Sequence, residues 1–290
     1  YARIVKEKSL LRGAIHQTHA VLQALWEECG SPEELLQRAK SNLEMLSAQI
    51  GDGAWAATNS SLFKTAASIA AEDHKAEWIA YPFVAGGSIT ELDGKPKSSG
   101  KTTLLTHLAA AVIGGHSFMG NPTLRSSVVY LSEQPPSTFI VALERAGLLG
   151  CEDLHILFWK DAARLTWDAT VKLAAEQCTR RGARLLIVDT LGQFTGLDGD
   201  AENNAGDALA AMRPLQAAAA TGLGIIASRH ERKSGGEVGD SGRGSSAFAG
   251  AVDTIFLLRR MEGRQKGTLR QLRAISRLDI PNAFVLALTE

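Results

Sequence analysis

The chain has 290 residues, 45% of them apolar and 21% charged, which is enough apolar material for one large domain or two smaller ones. Lysine plus arginine equals aspartate plus glutamate, 31 each, so no overall basic field attracts nucleic acid and any polyanion contact must be local. No apolar segment approaches the roughly 18 residues that span a bilayer, and the charged start lacks a signal-peptide core, so we expect no membrane partner.

The three cysteines, Cys29, Cys151 and Cys178, are scattered and have no metal-ligand spacing. They predict core thiols in a reducing cytoplasm. The chain begins with Tyr1 rather than Met, so we expect that a further segment preceded it in the natural protein.

Residues 1–52 are predicted to form two amphipathic helices that act as a linker or oligomerisation element. Ser31-Pro32-Glu33-Glu34 begins the second helix, with Ser31 as N-cap, proline at the first position and Glu34 completing a capping box. The two apolar faces cannot both be buried against each other, so either one helix docks on another surface or both pack on the rest of this chain. Residues 53–77 are predicted to be a connecting segment with one short helix.

The run from Asp93 to Thr103 is predicted to bind the phosphates of a nucleoside triphosphate, because it lies between an apolar strand, Ser88–Leu92, and a helical segment, Leu104–Ile113. Lys101 would reach the β- and γ-phosphates of ATP, and Thr102 would ligate Mg²⁺. The predicted cofactor-binding residues are Gly94, Lys97, Ser98, Ser99, Gly100, Lys101, Thr102 and Thr103.

The spacing of this loop departs from the usual pattern, because Lys95 stands where a glycine is expected and Gly94 comes one residue too early. Either the loop carries one extra residue, or Lys95 takes the place of the glycine at a steric cost. An ordinary strand-to-helix turn is the alternative reading of the whole run.

Strands and helices alternate in the domain predicted over residues 78–290, which indicates an α/β fold with a mostly parallel sheet. The last two strands have no helix between them and are predicted to form an antiparallel hairpin. The predicted strands after the first are Val128–Leu131, Leu154–Phe158, Leu185–Val188, Leu223–Ala227, Thr254–Leu258, Thr268–Ser276 and Ala283–Leu288, and the helices are near Ser137–Leu148, Thr166–Arg181 and Asp207–Ala220.

Two acidic residues follow apolar strands at positions suited to catalysis. Asp189 ends Leu185–Val188 and is predicted to complete the Mg²⁺ site, because ligands bind at the carboxyl ends of strands in open α/β sheets. In P-loop proteins of the RecA kind, the strand next to the P-loop strand ends in a glutamate that polarises the attacking water, and Glu133 fits this description. A solvated acid at a strand end is the alternative for Glu133.

His230 follows the strand Leu223–Ala227 and is the candidate sensor of the γ-phosphate, although a single histidine is more often an ordinary surface or core residue. Residues 234–246 contain five glycines and predict a flexible loop. With Lys233 directly before it and Arg243 inside it, the loop is a candidate for contacts with the DNA backbone, and a disordered surface loop is the alternative. The predicted DNA-binding residues are Arg232, Lys233 and Arg243. The segment from Thr195 to Asn204 is a second candidate loop.

The segments Arg229-His230-Glu231-Arg232-Lys233-Ser234-Gly235-Gly236 and Gly242-Arg243-Gly244-Ser245-Ser246-Ala247 resemble those of RecA-fold ATPases of the RepA-like hexameric helicase group. The lengthened phosphate-binding loop looks like a variant found in that group, and the resemblance covers residues 78–290. Tyr1 to Arg12 and Ser31 to Leu36 resemble the linker helices of DnaB-type replicative helicases.

The resemblance implies a ring of subunits, as a rule six, around single-stranded DNA, with one linker helix docked on the neighbour and with a helicase loader or primase as a possible partner. It implies that Lys101, Thr102, Glu133 and Asp189 act in ATP hydrolysis. Arg277 falls where the family places an arginine finger that reaches the neighbour's γ-phosphate. His230 stands where DnaB-type proteins commonly have a glutamine.

The basic partner that the family places two residues before the finger is Ile275 here, and Arg273 is a candidate substitute. Two other functions remain open for the chain as a whole. One is a RecA-like ATPase that loads or regulates other proteins without unwinding DNA, and the other is a scaffold that binds nucleotide without turnover.

Overall fold

The structure is a computed structural model that describes residues 37, 40, 63–72, 75–197, 200–231, 236–240, 242, 246–261 and 268–287. Apart from Gln37 and Lys40, which are helical and exposed, the two predicted N-terminal helices lie outside the described residues. The predicted DNA-binding residues Arg232, Lys233 and Arg243 lie outside them too.

Contacts between residues divide the chain into two compact units, Tyr1–His74 and Lys75–Glu290. In the first unit the structure describes the short helix α1, Ala66–Ala71, which begins where the Thr65 hydroxyl accepts a hydrogen bond from the Ser68 N–H. One short helix was predicted in this connecting segment.

The second unit contains a sheet of eight strands and a small antiparallel pair formed by β1 and β2. Its elements in chain order are β1 (Trp78–Ala80), β2 (Val84–Ala85), β3 (Ile89–Gly94), α2 (Lys101–Gly114), β4 (Val128–Ser132), α3 (Pro136–Arg145), β5 (Leu154–Phe158), α4 (Trp159–Ala162), α5 (Trp167–Arg181), β6 (Leu185–Asp189), α6 (Leu191–Thr195), α7 (Asp200–Asn203), α8 (Ala205–Ala219), β7 (Gly224–His230), α9 (Ala247–Gly250), β8 (Thr254–Arg260), β9 (Leu269–Ser276) and β10 (Ala283–Ala287).

The strand order of the large sheet is β10-β9-β8-β3-β7-β6-β4-β5. The six strands from β8 to β5 in this order are parallel, and β9 and β10 are each antiparallel to the preceding strand. This confirms the predicted α/β class, the mostly parallel sheet and the terminal hairpin.

Apolar residues of the central strands alternate between two cores, one on each face of the sheet. In β6, Leu186 and Val188 belong to the core under α5 and α8, whereas Leu185 and Ile187 belong to the core under α2 and α3. Because both faces are covered by helices, the strand is apolar from Leu185 to Val188, without alternating polar residues, and ends in Asp189.

Several boundaries differ from the predicted ones. Strand β3 continues to Gly94 and helix α2 already begins at Lys101, so the connecting loop is shorter than predicted. Strand β7 continues to His230, because its last residues still pair with β3. The segment from Thr195 to Asn204, which was the second loop considered for contacts with DNA, contains the short helix α7.

The location of β4 corrects one expectation. This strand follows β3 along the chain, but β7 and β6 lie between the two in the sheet. Glu133 is therefore not at the end of a strand adjacent to β3, and it approaches the loop after β3 from the other side of β6 and β7.

Strand direction decides which residues share an edge of the sheet. The carboxyl ends of β3, β4, β6 and β7 lie at one edge, where the loop after β3 also lies. Strand β9 runs the other way, and the N–H of Arg277 bonds the Asp253 carbonyl at the opposite edge. In the described part of the chain, no helix is both long and apolar enough to cross a membrane.

Candidate functional site

The loop between β3 and α2 is folded tightly over the end of β3. A Cβ atom on Gly94 would lie 2.6 Å from Ser99 Oγ and 2.9 Å from the Leu258 carbonyl oxygen, so this position excludes a side chain. Lys95 is exposed, and Lys97 has a φ of 58°. The close-packed glycine is thus Gly94, and the loop carries one extra residue before Gly100.

Lys101 is the first residue of α2 and is buried, with 6% of its surface exposed. Its Nζ donates to the Gly94 carbonyl oxygen at 2.9 Å and lies 3.4 Å from His230 Nδ1. Burial lowers the pKa of the Lys101 ammonium, and the nearby carboxylates of Asp189 and Glu133 oppose this effect. A cation held beside a loop in this way is suited to an anionic ligand.

Three hydroxyl groups donate hydrogen bonds to the carboxylate of Asp189. Thr102 Oγ1 and Tyr130 OH reach Oδ2 at 2.7 and 2.9 Å, and the hydroxyl of Ser228 reaches Oδ1. The pKa of Tyr130 lies well above its ordinary value, mainly because the hydroxyl is buried and also because Asp189 is close, so Tyr130 keeps its proton.

Gln134 adds a contact to the same group, because its Nε2 donates to Thr102 Oγ1 at 3.2 Å. Sequence reasoning missed Tyr130, Ser228 and Gln134. Tyr130 lies inside the predicted strand Val128–Leu131 and reads as a core residue, whereas Ser228 directly follows the predicted strand Leu223–Ala227. The role of both residues depends on strand order. Gln134 directly follows Glu133, but nothing in the sequence placed its amide beside Thr102.

Glu133 lies at the same edge as Asp189. Its backbone N–H donates to the Asp189 carbonyl oxygen at 2.7 Å, and its carboxylate accepts a hydrogen bond from the hydroxyl of Thr190. The peptide bond between Asp189 and Thr190 is cis. The contacts hold the Glu133 carboxylate beside the P-loop rather than free in solvent.

The side chains of Lys101, Asp189 and Glu133 line one cavity of about 610 Å³. Of the predicted residues, Lys97, Ser99, Gly100, Lys101, Thr102, Thr103, Glu133, Asp189 and His230 line it. Gly94 is buried beneath the loop and Ser98 is exposed on its outside, and neither is among the lining residues. Helix α3 contributes Val141, Ala142 and Arg145 to one wall. The volume is that of an ordinary small-ligand site.

Arg277 lies outside this cavity. Its Nη1 is 3.3 Å from Asp253 Oδ1 and its Nη2 donates to the Gly250 carbonyl at 3.0 Å, at the opposite edge of the sheet. Arg273 pairs instead with Glu237, at 2.9 Å.

Two ion pairs, one buried and one with a half-buried arginine, lie beside the described part of the glycine-rich segment. Arg229 binds both carboxylate oxygens of Glu91, at 2.9 and 3.0 Å, and its guanidinium stacks 4.0 Å from the Phe248 ring centre. Arg259 binds the carboxylate of Glu231 and the Gly236 carbonyl. These pairs fix the start of the segment that follows His230.

The residues present fit ATP and Mg²⁺. Gly94 lets the loop pack closely on the end of β3, and Gly100 lines the cavity with a φ of 93°, which suits glycine. Among the described residues, no side chain caps the N-terminus of α2, so an anion could bind the N–H groups there. Thr102 and Asp189 provide the hard oxygen ligands that Mg²⁺ prefers.

The fold and this site define a P-loop protein that binds nucleoside triphosphates. Comparison with protein families agrees, since the AAA domain family matches residues 57–236. The chain belongs to this family of P-loop ATPases, which includes RecA-like and DnaB-type domains. No curated protein matches the chain.

Proposed function

We propose that the protein is an ATP-driven DNA helicase whose subunits, six as in the DnaB-type helicases that it resembles, form a ring around single-stranded DNA. The observation that carries the proposal is the location of Arg277. Its side chain is 65% exposed, and it lies at the Ile89 end of β3, whereas Lys101 lies at the Gly94 end. Six strand residues separate the two ends by roughly 20 Å.

An arginine so placed serves a neighbouring subunit better than its own. In a ring, the edge that carries Arg277 would face the cavity of the next subunit, and its guanidinium would stabilise negative charge on the transferred phosphoryl group. Hydrolysis would then require assembly.

The other residues have roles that follow from their contacts. Lys101 would turn from the Gly94 carbonyl to the β- and γ-phosphates, and Glu133, held by Thr190, would orient the attacking water. Thr102 would ligate Mg²⁺ and Asp189 would hold its water shell, and the ion would neutralise charge on the phosphate oxygens. His230, 3.4 Å from Lys101, would respond to the γ-phosphate.

Three further parts of the proposal come from sequence. Arg232, Lys233 and Arg243 would contact single-stranded DNA, residues 1–52 would link neighbouring subunits, and a helicase loader or primase would be a partner. The free thiols of Cys151 and Cys178 fit a cytoplasmic location.

Mixing two inactive variants tests the shared site. Lys101→Ala and Arg277→Ala should each lose most ATPase activity in the presence of single-stranded DNA. A mixture of the two should regain activity, because some interfaces then combine an intact Lys101 cavity with an intact Arg277. Arg213→Ala, which removes an exposed arginine from α8, is the matched control and should behave as wild type.

Full activity of Arg277→Ala alone would contradict the proposal. A forked duplex separates helicase action from the alternative of a loading or regulating ATPase. ATP-dependent strand displacement is expected, and DNA-stimulated ATPase activity without displacement would favour the alternative.

A further inference from the structure

Arg270 contacts the phosphate-binding loop from a distant part of the chain. It lies near the start of β9, and its Nε donates to the Ser99 carbonyl oxygen at 2.8 Å across 171 residues of sequence. A Cβ atom on Gly100 would lie 3.6 Å from the same Nε. Arg270 is half-buried and does not line the cavity, so it acts behind the loop.

The bond to Ser99 determines where the next N–H group points. The Ser99 carbonyl and the Gly100 N–H belong to one peptide plane, and in a trans peptide they point in opposite directions. Because the carbonyl is directed to Arg270, the Gly100 N–H is directed away from β9. Gly100 lines the cavity, which makes this N–H a candidate donor to a bound phosphate.

The length of the loop increases the need for such a restraint. The loop has one residue more than usual, and within it the Ser99 hydroxyl donates to the Lys95 carbonyl at 2.9 Å. That bond closes the loop on itself but does not orient the Ser99–Gly100 peptide. The bond from Arg270 attaches this peptide to the sheet.

We infer that Arg270 is a positioning residue for phosphate binding, which holds the Ser99–Gly100 peptide so that the Gly100 N–H donates to a phosphate oxygen of ATP. The inference rests on the ATP binding in the proposed function. It assigns a role to the Nε donor of Arg270 rather than to its positive charge.

Arg260 allows the two roles to be separated. It is directly opposite Arg270 in the β8–β9 pair, is exposed and makes no bond to the loop in the described structure. If charge near the loop were what matters, removing Arg260 would also weaken phosphate binding. If the donor matters, the Arg260→Met variant should bind as wild type does.

Substitution of Arg270 itself separates donor from charge more directly. Glutamine places an N–H donor at the same number of bonds from Cα as arginine Nε but carries no charge, whereas lysine keeps the charge and has carbon at that position. Methionine has similar length and neither property.

The experiment measures dissociation constants of the full chain for inorganic tripolyphosphate and for a fluorescent ATP analogue, together with kcat and KM. Arg270→Met should weaken both ligands about ten-fold, the usual effect of one hydrogen bond to a charged group, and should raise KM more than it lowers kcat. Arg270→Gln should stay close to wild type and should bind more tightly than Arg270→Lys.

Tighter ligand binding by Arg270→Gln than by Arg270→Lys supports the inference even if Arg270→Met does not fold. The inference would be overturned if the Arg270→Lys variant bound the ligands as tightly as Arg270→Gln or more tightly. Wild-type affinity in Arg270→Met would also overturn it. A wild-type chain that binds neither ligand would instead contradict the proposed function, and the inference with it.

Discussion

At the scale of single residues, the site is organised around Asp189. Hydroxyl groups from α2, β4 and β7 donate to its two oxygens, so the carboxylate is held in one orientation before any ion arrives. Groups that orient a metal-binding carboxylate usually affect metal affinity strongly even though they do not touch the metal. In the proposed Mg²⁺ site Tyr130 would be such a group, because it is fully buried and its hydroxyl donates to an Asp189 oxygen.

Tyr130→Phe should raise the Mg²⁺ concentration for half-maximal ATPase activity by about ten-fold, since the ring remains and only the bond to Asp189 is lost. The measurement is a Mg²⁺ titration of activity at saturating ATP. A parallel titration of Mg²⁺-dependent binding of an ATP analogue separates ion affinity from turnover.

The control for this change is Tyr81→Phe, which alters a half-buried tyrosine that packs edge-on against Trp78 away from the cavity. It should leave the titration unchanged. An unchanged midpoint in Tyr130→Phe would show that Asp189 is oriented without the hydroxyl.

At the scale of elements, the unit that matters is strand β3, its loop and helix α2. Gly94 ends β3 and its carbonyl oxygen accepts from both Lys101 Nζ and the Glu231 N–H. The end of β3, the side chain of Lys101 and the start of the segment after β7 therefore meet at one peptide group. A displacement of this group disturbs all three.

Gly94→Ala should weaken ATP binding strongly, because the new methyl group would overlap Ser99 Oγ and the Leu258 carbonyl. Overpacking of this kind costs about 1–3 kcal/mol, and here the loop would absorb the shift. Binding of an ATP analogue and urea unfolding measure the two consequences.

Gly192→Ala is the matched glycine control. Gly192 lies inside α6, and a methyl group at this position would contact no described residue outside its own stretch of helix within 4 Å. Alanine should therefore stabilise the protein by about 0.5–1 kcal/mol and leave ATP affinity unchanged. Equal ATP affinity in Gly94→Ala and wild type would contradict the close packing of the loop.

At the scale of the whole molecule, the chain is electrically neutral, with 31 basic and 31 acidic residues. The proposed binding to DNA would then depend on a small number of local contacts, and the salt dependence of the affinity would measure their number. Two features of the proposed assembly can be tested at this scale, namely the basic residues after β7 and the N-terminal segment.

The triple variant Arg232→Ala, Lys233→Ala and Arg243→Ala should weaken binding of single-stranded DNA and reduce the slope of log affinity against log salt by about 2, at about 0.7 per phosphate contact. Fluorescence anisotropy at several salt concentrations measures this slope. Arg180→Ala with Arg181→Ala, at the end of α5, is the control and should not change it. An unchanged slope in the triple variant would exclude these residues from the DNA contact.

Deletion of residues 1–50 should shift the native mass distribution with an ATP analogue towards smaller species, because the proposed linker helix would no longer dock on the neighbouring subunit. Native mass spectrometry measures the distribution. Rings of unchanged size would contradict the linker assignment.

The sequence by itself determined the class of the fold and the local parts of the site. An apolar run followed by an acid, or a glycine-rich loop before a helix, is a local pattern, and local backbone preferences are what such patterns encode. Lys101, Thr102, Glu133, Asp189 and His230 were all found in this way, and all of them line the cavity.

Only the tertiary structure decided which of these parts meet. The hydroxyl groups of Tyr130 and Ser228 donate hydrogen bonds to Asp189 because β6 lies between β4 and β7. Arg270 reaches Ser99 because β9 folds back beside β8. Strand order places residues far apart in sequence within hydrogen-bond distance, and no local pattern specifies it. The separation of Arg270, behind the loop, from Arg277, at the opposite edge of the sheet, has the same origin.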